Sequence, residues 1–109
     1  MTVKLPQPLA DYFAAKNRHD VDGMLIPFSS DATVRDEGET HQGSATIRGW
    51  MEATTTKYRV TVEVADATVN GDAWRIAGIV SGNFPGSPAT LHYHFTLAND
   101  RITRLEIGA

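Results

Sequence analysis

Near Tyr58 the spacing of apolar residues changes, and that change limits the folds open to this 109-residue chain. Before it, apolar residues recur every three or four positions, the period of a helix with one buried face. After it they alternate, the period of a strand with one buried face. Helices followed by hairpin-linked strands predict an α+β fold, with the helices segregated to one face of an antiparallel sheet. At this length the chain is expected to form one domain, residues 1–109, burying roughly two thirds of its unfolded surface without metals or crosslinks.

In the helical part, Pro6 and Pro8 suit a first turn, and Leu5, Leu9, Tyr12 and Phe13 mark one stripe that places Tyr12 on the buried side. Asn17-Arg18-His19 breaks the pattern. Asp20 is the expected N-cap of a second, shorter helix striped by Val21, Met24, Leu25 and Phe28, which Pro27 should end near Ile26. A strand follows, then a polar, glycine-rich stretch over 38–43 that reads as a hairpin or rim loop. Ser44 is expected to cap a third helix with Ile47, Trp50, Met51 and Thr54 on one side.

The alternating part begins with Tyr58, Val60, Val62 and Val64 on one face. Asn70-Gly71 is a strong hairpin signal, because both residue types tolerate positive φ. The next strand, read over 73–84, turns Trp74, Ile76, Gly78, Val80, Gly82 and Phe84 to one face, and two of these have no side chain to fill space. After a turn at 85–88, Leu91, Tyr93, Phe95 and Leu97 alternate with Thr90, His92, His94 and Thr96. Asn99-Asp100 then turns the chain into a last strand whose apolar side is Thr103, Leu105 and Ile107.

One residue breaks the apolar faces in a way that suggests chemistry. Ala32, Val34 and Asp36 share a face of the first strand, so a carboxylate is aimed inward, while Arg35 points the other way and cannot clamp a ligand beside it. Desolvation raises the pKa of such an acid toward the range where it can exchange protons. Other chemistries are disfavoured. The absence of cysteine excludes disulfides, thiolate nucleophiles and thiolate zinc sites. His92 and His94 supply half of a metal site with no third ligand in view, so no metal and no cofactor is expected. Ten basic and thirteen acidic residues without a Lys/Arg cluster make nucleic acid a poor partner. With no signal-peptide core and no run long enough to span a membrane, the chain is expected to be soluble and cytoplasmic.

With that order established, Tyr12-Phe13-Ala14-Ala15-Lys16-Asn17, Asp20-Val21-Asp22-Gly23, Asp31-Ala32-Thr33-Val34-Arg35-Asp36 and Ala45-Thr46-Ile47-Arg48 together resemble the nuclear transport factor 2-like superfamily, nearest its ketosteroid isomerase and SnoaL-like branch. The resemblance implies a cone-shaped domain whose curved sheet encloses an apolar pocket. In ketosteroid isomerase an Asp base moves a proton while a Tyr and a protonated Asp donate to the enolate oxygen. By resemblance Asp36 matches the base and Tyr12 the oxyanion tyrosine, 36 − 12 = 24 residues apart, and Tyr93 falls where the isomerase has its second acid. Two positions depart. Met51 replaces a supporting tyrosine, and Gly78 and Gly82 replace pocket phenylalanines, which implies a roomier pocket, one filled by Trp50, or one shaped for another ligand. Ligand contacts are expected from Trp50, Met51, Val80, Phe84, Phe95 and Leu105, and His41 is read as a solvated rim residue. The implied function is proton-transfer isomerisation of a small apolar carbonyl compound. The alternatives are a non-catalytic binder of a small apolar ligand or a dimeric interaction module, and SnoaL-like polyketide cyclase chemistry. The expected assembly is a homodimer through the outward strands that carry Thr90, His92, His94 and Thr96.

Overall fold

In chain order the elements are α1 (Gln7–Asn17), α2 (Val21–Leu25), β1 (Phe28–Asp36), β2 (Glu39–Gln42), α3 (Ser44–Tyr58), β3 (Thr61–Asn70), β4 (Ala73–Ser81), β5 (Ala89–Ala98) and β6 (Arg101–Gly108). The computed structural model describes residues 4–109; Met1, Thr2 and Val3, which open the segment read above as lacking a signal-peptide core, lie outside the described residues. The helices pack against a curved, unclosed six-stranded sheet of order β2-β1-β6-β5-β4-β3. Its neighbours are antiparallel except β1 and β6, which run parallel, so the sheet is mixed and not wholly antiparallel. A parallel pair needs a long crossover, and α3 with the β3–β5 meander supplies it.

The periodicity locates the elements but blurs their ends. Tyr58 is the last residue of α3 and not the first of a strand. Arg59, at φ +46°, takes the left-handed conformation that stops the helix, and its N–H bonds the Thr55 carbonyl. Apolar residues at 58, 60 and 62 alternate by coincidence across that boundary. Ser44 is the first helical residue, not the cap; Gly43 holds the cap position without a side-chain bond. Phe28 begins β1 instead of completing the α2 stripe, whereas Asp20 does cap α2, accepting from the Gly23 N–H at 3.1 Å. Strand β4 stops at Ser81, short of Phe84, because the next backbone donors turn elsewhere: Gly82 N–H to Ser87 Oγ at 2.9 Å and Asn83 N–H to the Tyr58 carbonyl at 2.7 Å.

The turns at the sheet's ends fall within one residue of where the sequence puts them. Asn99 and Asp100 both have positive φ, 53° and 61°. In the β3–β4 hairpin Asn70 pairs with Ala73, so the turn residues are Gly71-Asp72, with Gly71 at φ +64°. A register shift between Thr96 and Leu97 changes which side of β6 faces in: Ile102 is fully buried, while Thr103 gives its hydroxyl to the Thr96 carbonyl at 3.1 Å.

The core lies between α1, α3 and the concave face, built on Leu9, Tyr12, Met24, Ile47, Ile76 and Phe95. Tyr12 sits at its centre, edge-on to Phe13, Phe28 and Phe95 at centroid distances of 5.2–5.7 Å. The break at Asn17 anchors this helix to the sheet. Asn17 Nδ2 donates to the Val62 carbonyl at 3.0 Å and its Oδ1 accepts from Val62 N–H at 2.7 Å, so the side chain stands in for a neighbouring strand at the edge of β3. His19 Nε2 adds a bond to the Val60 carbonyl at 3.0 Å, which fixes the last turn of α1 over the open end of the sheet.

Candidate active site

At that open end a cavity of about 280 Å³ separates the helices from the sheet. Val60, Val80, Phe84, Leu91 and Ile107 supply its apolar wall, and Trp50, Tyr58 and Tyr93 its aromatic one. Its charged lining is Lys16, Asp36 and Glu37.

Asp36 reaches the cavity because β1 alternates inward at Ala32 and Val34, both fully buried, and ends one step later. The carboxyl group is half-buried. Burial raises its pKa above the ordinary carboxylate range; the Trp50 hydrogen bond opposes the rise and the Glu37 charge adds to it. The bond runs from Trp50 Nε1–H to Asp36 Oδ2 at 3.1 Å. Trp50 is itself stacked on His41 at 5.9 Å, so the residue read as a solvated rim histidine backs the indole. Glu37, in the turn at φ +53°, faces away far enough to accept from the Tyr58 hydroxyl at 3.0 Å.

The two tyrosines differ. Tyr93 lines the cavity, 2% exposed, with its phenol pushed up by burial and then by the Asp36 charge. Tyr12 lies deeper, outside the lining, and among the described residues its buried hydroxyl has no hydrogen-bond partner. Burial, then Tyr93, then Asp36 raise its pKa well above the usual phenol value.

Of the other residues selected from the sequence, Trp50, Val80 and Phe84 line the cavity, whereas Met51, Phe95 and Leu105 pack in the core. Gly78 and Gly82 do not enlarge the pocket. A Cβ on Gly78 would meet Val62 Cγ1 at 2.8 Å and the Tyr93 ring at 3.2 Å, and one on Gly82 would meet the Tyr58 carbonyl oxygen at 2.6 Å. These glycines let a ring and a helix end approach the strand. His92 and His94 lie on the opposite, outward face, and among the described residues no group of three or more His, Asp or Glu could hold a metal ion. Among the described residues no helix is long and apolar enough to cross a membrane.

Lys16 was not singled out from the sequence, although its position four after Tyr12 puts both on one helix face. Its ammonium lies 5.7 Å above the Tyr12 ring centroid. Among the described residues it makes no ion pair, not even with Asp36. Burial lowers its pKa to about 8, against the Asp36 charge, which raises it. Tyr58, missed because it was read as a strand residue, completes the aromatic wall.

A SnoaL-like domain model matches residues 9–105. The chain superposes on a candidate polyketide cyclase from Sinorhizobium meliloti with a TM-score of 0.91 and 43% identity, covering 94% of each chain. It also superposes on a protein of ketosteroid isomerase-like fold from Catenulispora acidiphila, solved with trimethylamine, with a TM-score of 0.85 and 22% identity over 97% of this chain and 87% of that one. A third likeness, with a TM-score of 0.82 and 22% identity over 94% and 87%, is to SalBIII, an epoxide hydrolase/cyclase-like enzyme of pyran ring formation in salinomycin. No curated protein matches the chain in sequence.

Proposed function

Because the chain belongs to the SnoaL-like domain family, we propose that it is a cofactor-independent enzyme acting on a small apolar carbonyl compound, with Asp36 as the base. The observation that carries this reading is a carboxylate half-buried in an apolar cavity, steered by an indole N–H and left open on its cavity side. In the proposed step Asp36 removes a proton from the carbon next to the carbonyl and returns it to a conjugated position. Tyr93 donates to the oxygen on which charge develops. A raised pKa suits this work, since a base near the operating pH both takes and returns a proton readily. Tyr12, fully buried outside the cavity lining, does not touch the ligand in this reading. The ligand's apolar body rests on Val80 and Phe84.

The test is conjugation of a β,γ-unsaturated ketone followed by ultraviolet absorbance. Asp36→Asn should lower turnover on the order of 10²–10⁴-fold, the usual worth of a positioned base; unchanged turnover would refute the assignment. The likeness to the Sinorhizobium protein supports a second reading, in which the same enolate attacks another carbonyl of the same molecule and closes a ring. A poly-β-ketone probe separates the two by whether the product is cyclic. A ligand that stabilises the protein yet is recovered unaltered would make the cavity a binding site only. A homodimer through the outward face of β4–β6 belongs to the same proposal, and light scattering showing only monomer at micromolar concentration would remove it.

A further inference from the structure

Lys16 is the charged lining group that the Asp36 chemistry leaves unused. It projects from the last turn of α1, which Asn17 and His19 tie to the edge of β3, so its position is set by the sheet and not by a free helix end. It lines the same cavity as Asp36 and Tyr93. Around it stand Tyr12 on its own helix, Asp36 and Glu37 at the end of β1, Tyr58 on α3, Tyr93 on β5, and His19. Glu37 is occupied by the Tyr58 hydroxyl, and His19 is engaged through both ring nitrogens, with the Val60 carbonyl and with Arg59 Nη2. Lys16 therefore faces a carboxylate it does not bond and a cavity it can reach.

We propose that Lys16 is the cavity's nucleophile toward carbonyl compounds, its Nζ condensing with an aldehyde or ketone held there to give an imine. The neutral amine adds to the carbonyl carbon, forming a C–N bond as the π pair moves to oxygen. Both nitrogen protons then pass to that oxygen, relayed one at a time by the Asp36 carboxylate, and the C–O bond breaks as water leaves. Amine and carbonyl in, imine and water out, the step balances without an oxidant or reductant. It needs an amine that is neutral part of the time, and burial with no ion-pair partner among the described residues provides one. With a pKa of about 8 the amine is neutral roughly one tenth of the time at pH 7, about 300-fold more than at the ordinary lysine value. The exposed Lys57, which Tyr58 holds above its usual value, is the internal comparison. The inference shares with the proposed function a cavity that takes carbonyl ligands, but not enolisation by Asp36.

The experiment is reductive trapping on the full chain: benzaldehyde with cyanoborohydride at pH 7, then peptide mapping by mass spectrometry of Lys4, Lys16, Lys57 and the α-amino group. Lys16 should be alkylated first, on the order of 10–10²-fold faster than Lys57 once its weaker basicity is allowed for, and its rate should climb between pH 6 and 8. Lys16→Arg keeps a cation over Tyr12 but should abolish the cavity adduct. Even labelling across the lysines, or a Lys16 spared while Lys57 reacts, overturns the proposal, and this readout needs no variant to fold. Ultraviolet conjugation scored in parallel keeps the two readings apart. An adduct without turnover refutes only the isomerase, and turnover without an adduct refutes only the imine.

Discussion

An indole N–H bonded to a carboxylate does two things at residue scale: it aims the oxygen pair and it favours the ionised form. For Asp36 these act against a desolvation that favours the neutral acid. Trp50→Phe keeps most of the ring's volume and removes the donor, so the Asp36 pKa should rise further. A base works only when deprotonated, so the acid limb of kcat/KM should move to higher pH in this variant, which a pH–rate profile with a carboxyl NMR titration would read. The tyrosines invite opposite outcomes. The Tyr12 hydroxyl is buried without a partner among the described residues, so Tyr12→Phe should stabilise the fold by about 1–3 kcal/mol in urea denaturation with little change in turnover. Tyr93→Phe should lower kcat on the order of 10²–10³-fold, the worth of one oxyanion donor. That Asp36 points inward was legible from alternation alone. That Tyr12 lies outside the cavity was not, because a helical stripe tells which side is buried and not how deep each residue on it sits.

At the scale of elements, close approaches decide what periodicity cannot. The C-terminal end of α3 lies against the end of β4 with the Tyr58 carbonyl 2.6 Å from where a Gly82 Cβ would stand. The obstacle is backbone, which has little room to give, so Gly82→Ala should cost about 1–3 kcal/mol by urea denaturation, with Tyr58 displaced from the cavity wall. Gly78→Ala should cost less, since its nearest obstacle is a Val62 methyl group. From sequence both glycines read as missing volume in the pocket. A strand glycine marks either empty space or a neighbour's close approach, and only the neighbour's coordinates distinguish them. The β6 bulge is a similar case: one extra residue exchanges Thr103 for Ile102 on the buried side, and no residue type in the sequence announces it.

For the whole molecule, the cavity at the open end predicts linkage between ligand and stability. A carbonyl ligand at about 100 times its Kd should add ~2.7 kcal/mol, read as a rise in Tm of several degrees for a domain of this size, and a flat melting series would argue against any occupant of the cavity. Legible in the amino acids were the α+β class, the order of helices and strands apart from β2, which lies in the stretch that reads as a hairpin or rim loop, the hairpins at Gly71 and Asn99-Asp100, and an acid on an inward face. These follow from local rules, in which the period of burial and the φ preferences of a few residues suffice. The parallel contact of β1 with β6, the depth of Tyr12, the indole hydrogen bond to Asp36 and the arrival of Lys16 in the cavity came from the assembled fold. Each depends on distances between segments far apart in the chain, set by how the helices seat on a curved sheet, and no periodicity within one segment encodes such a distance.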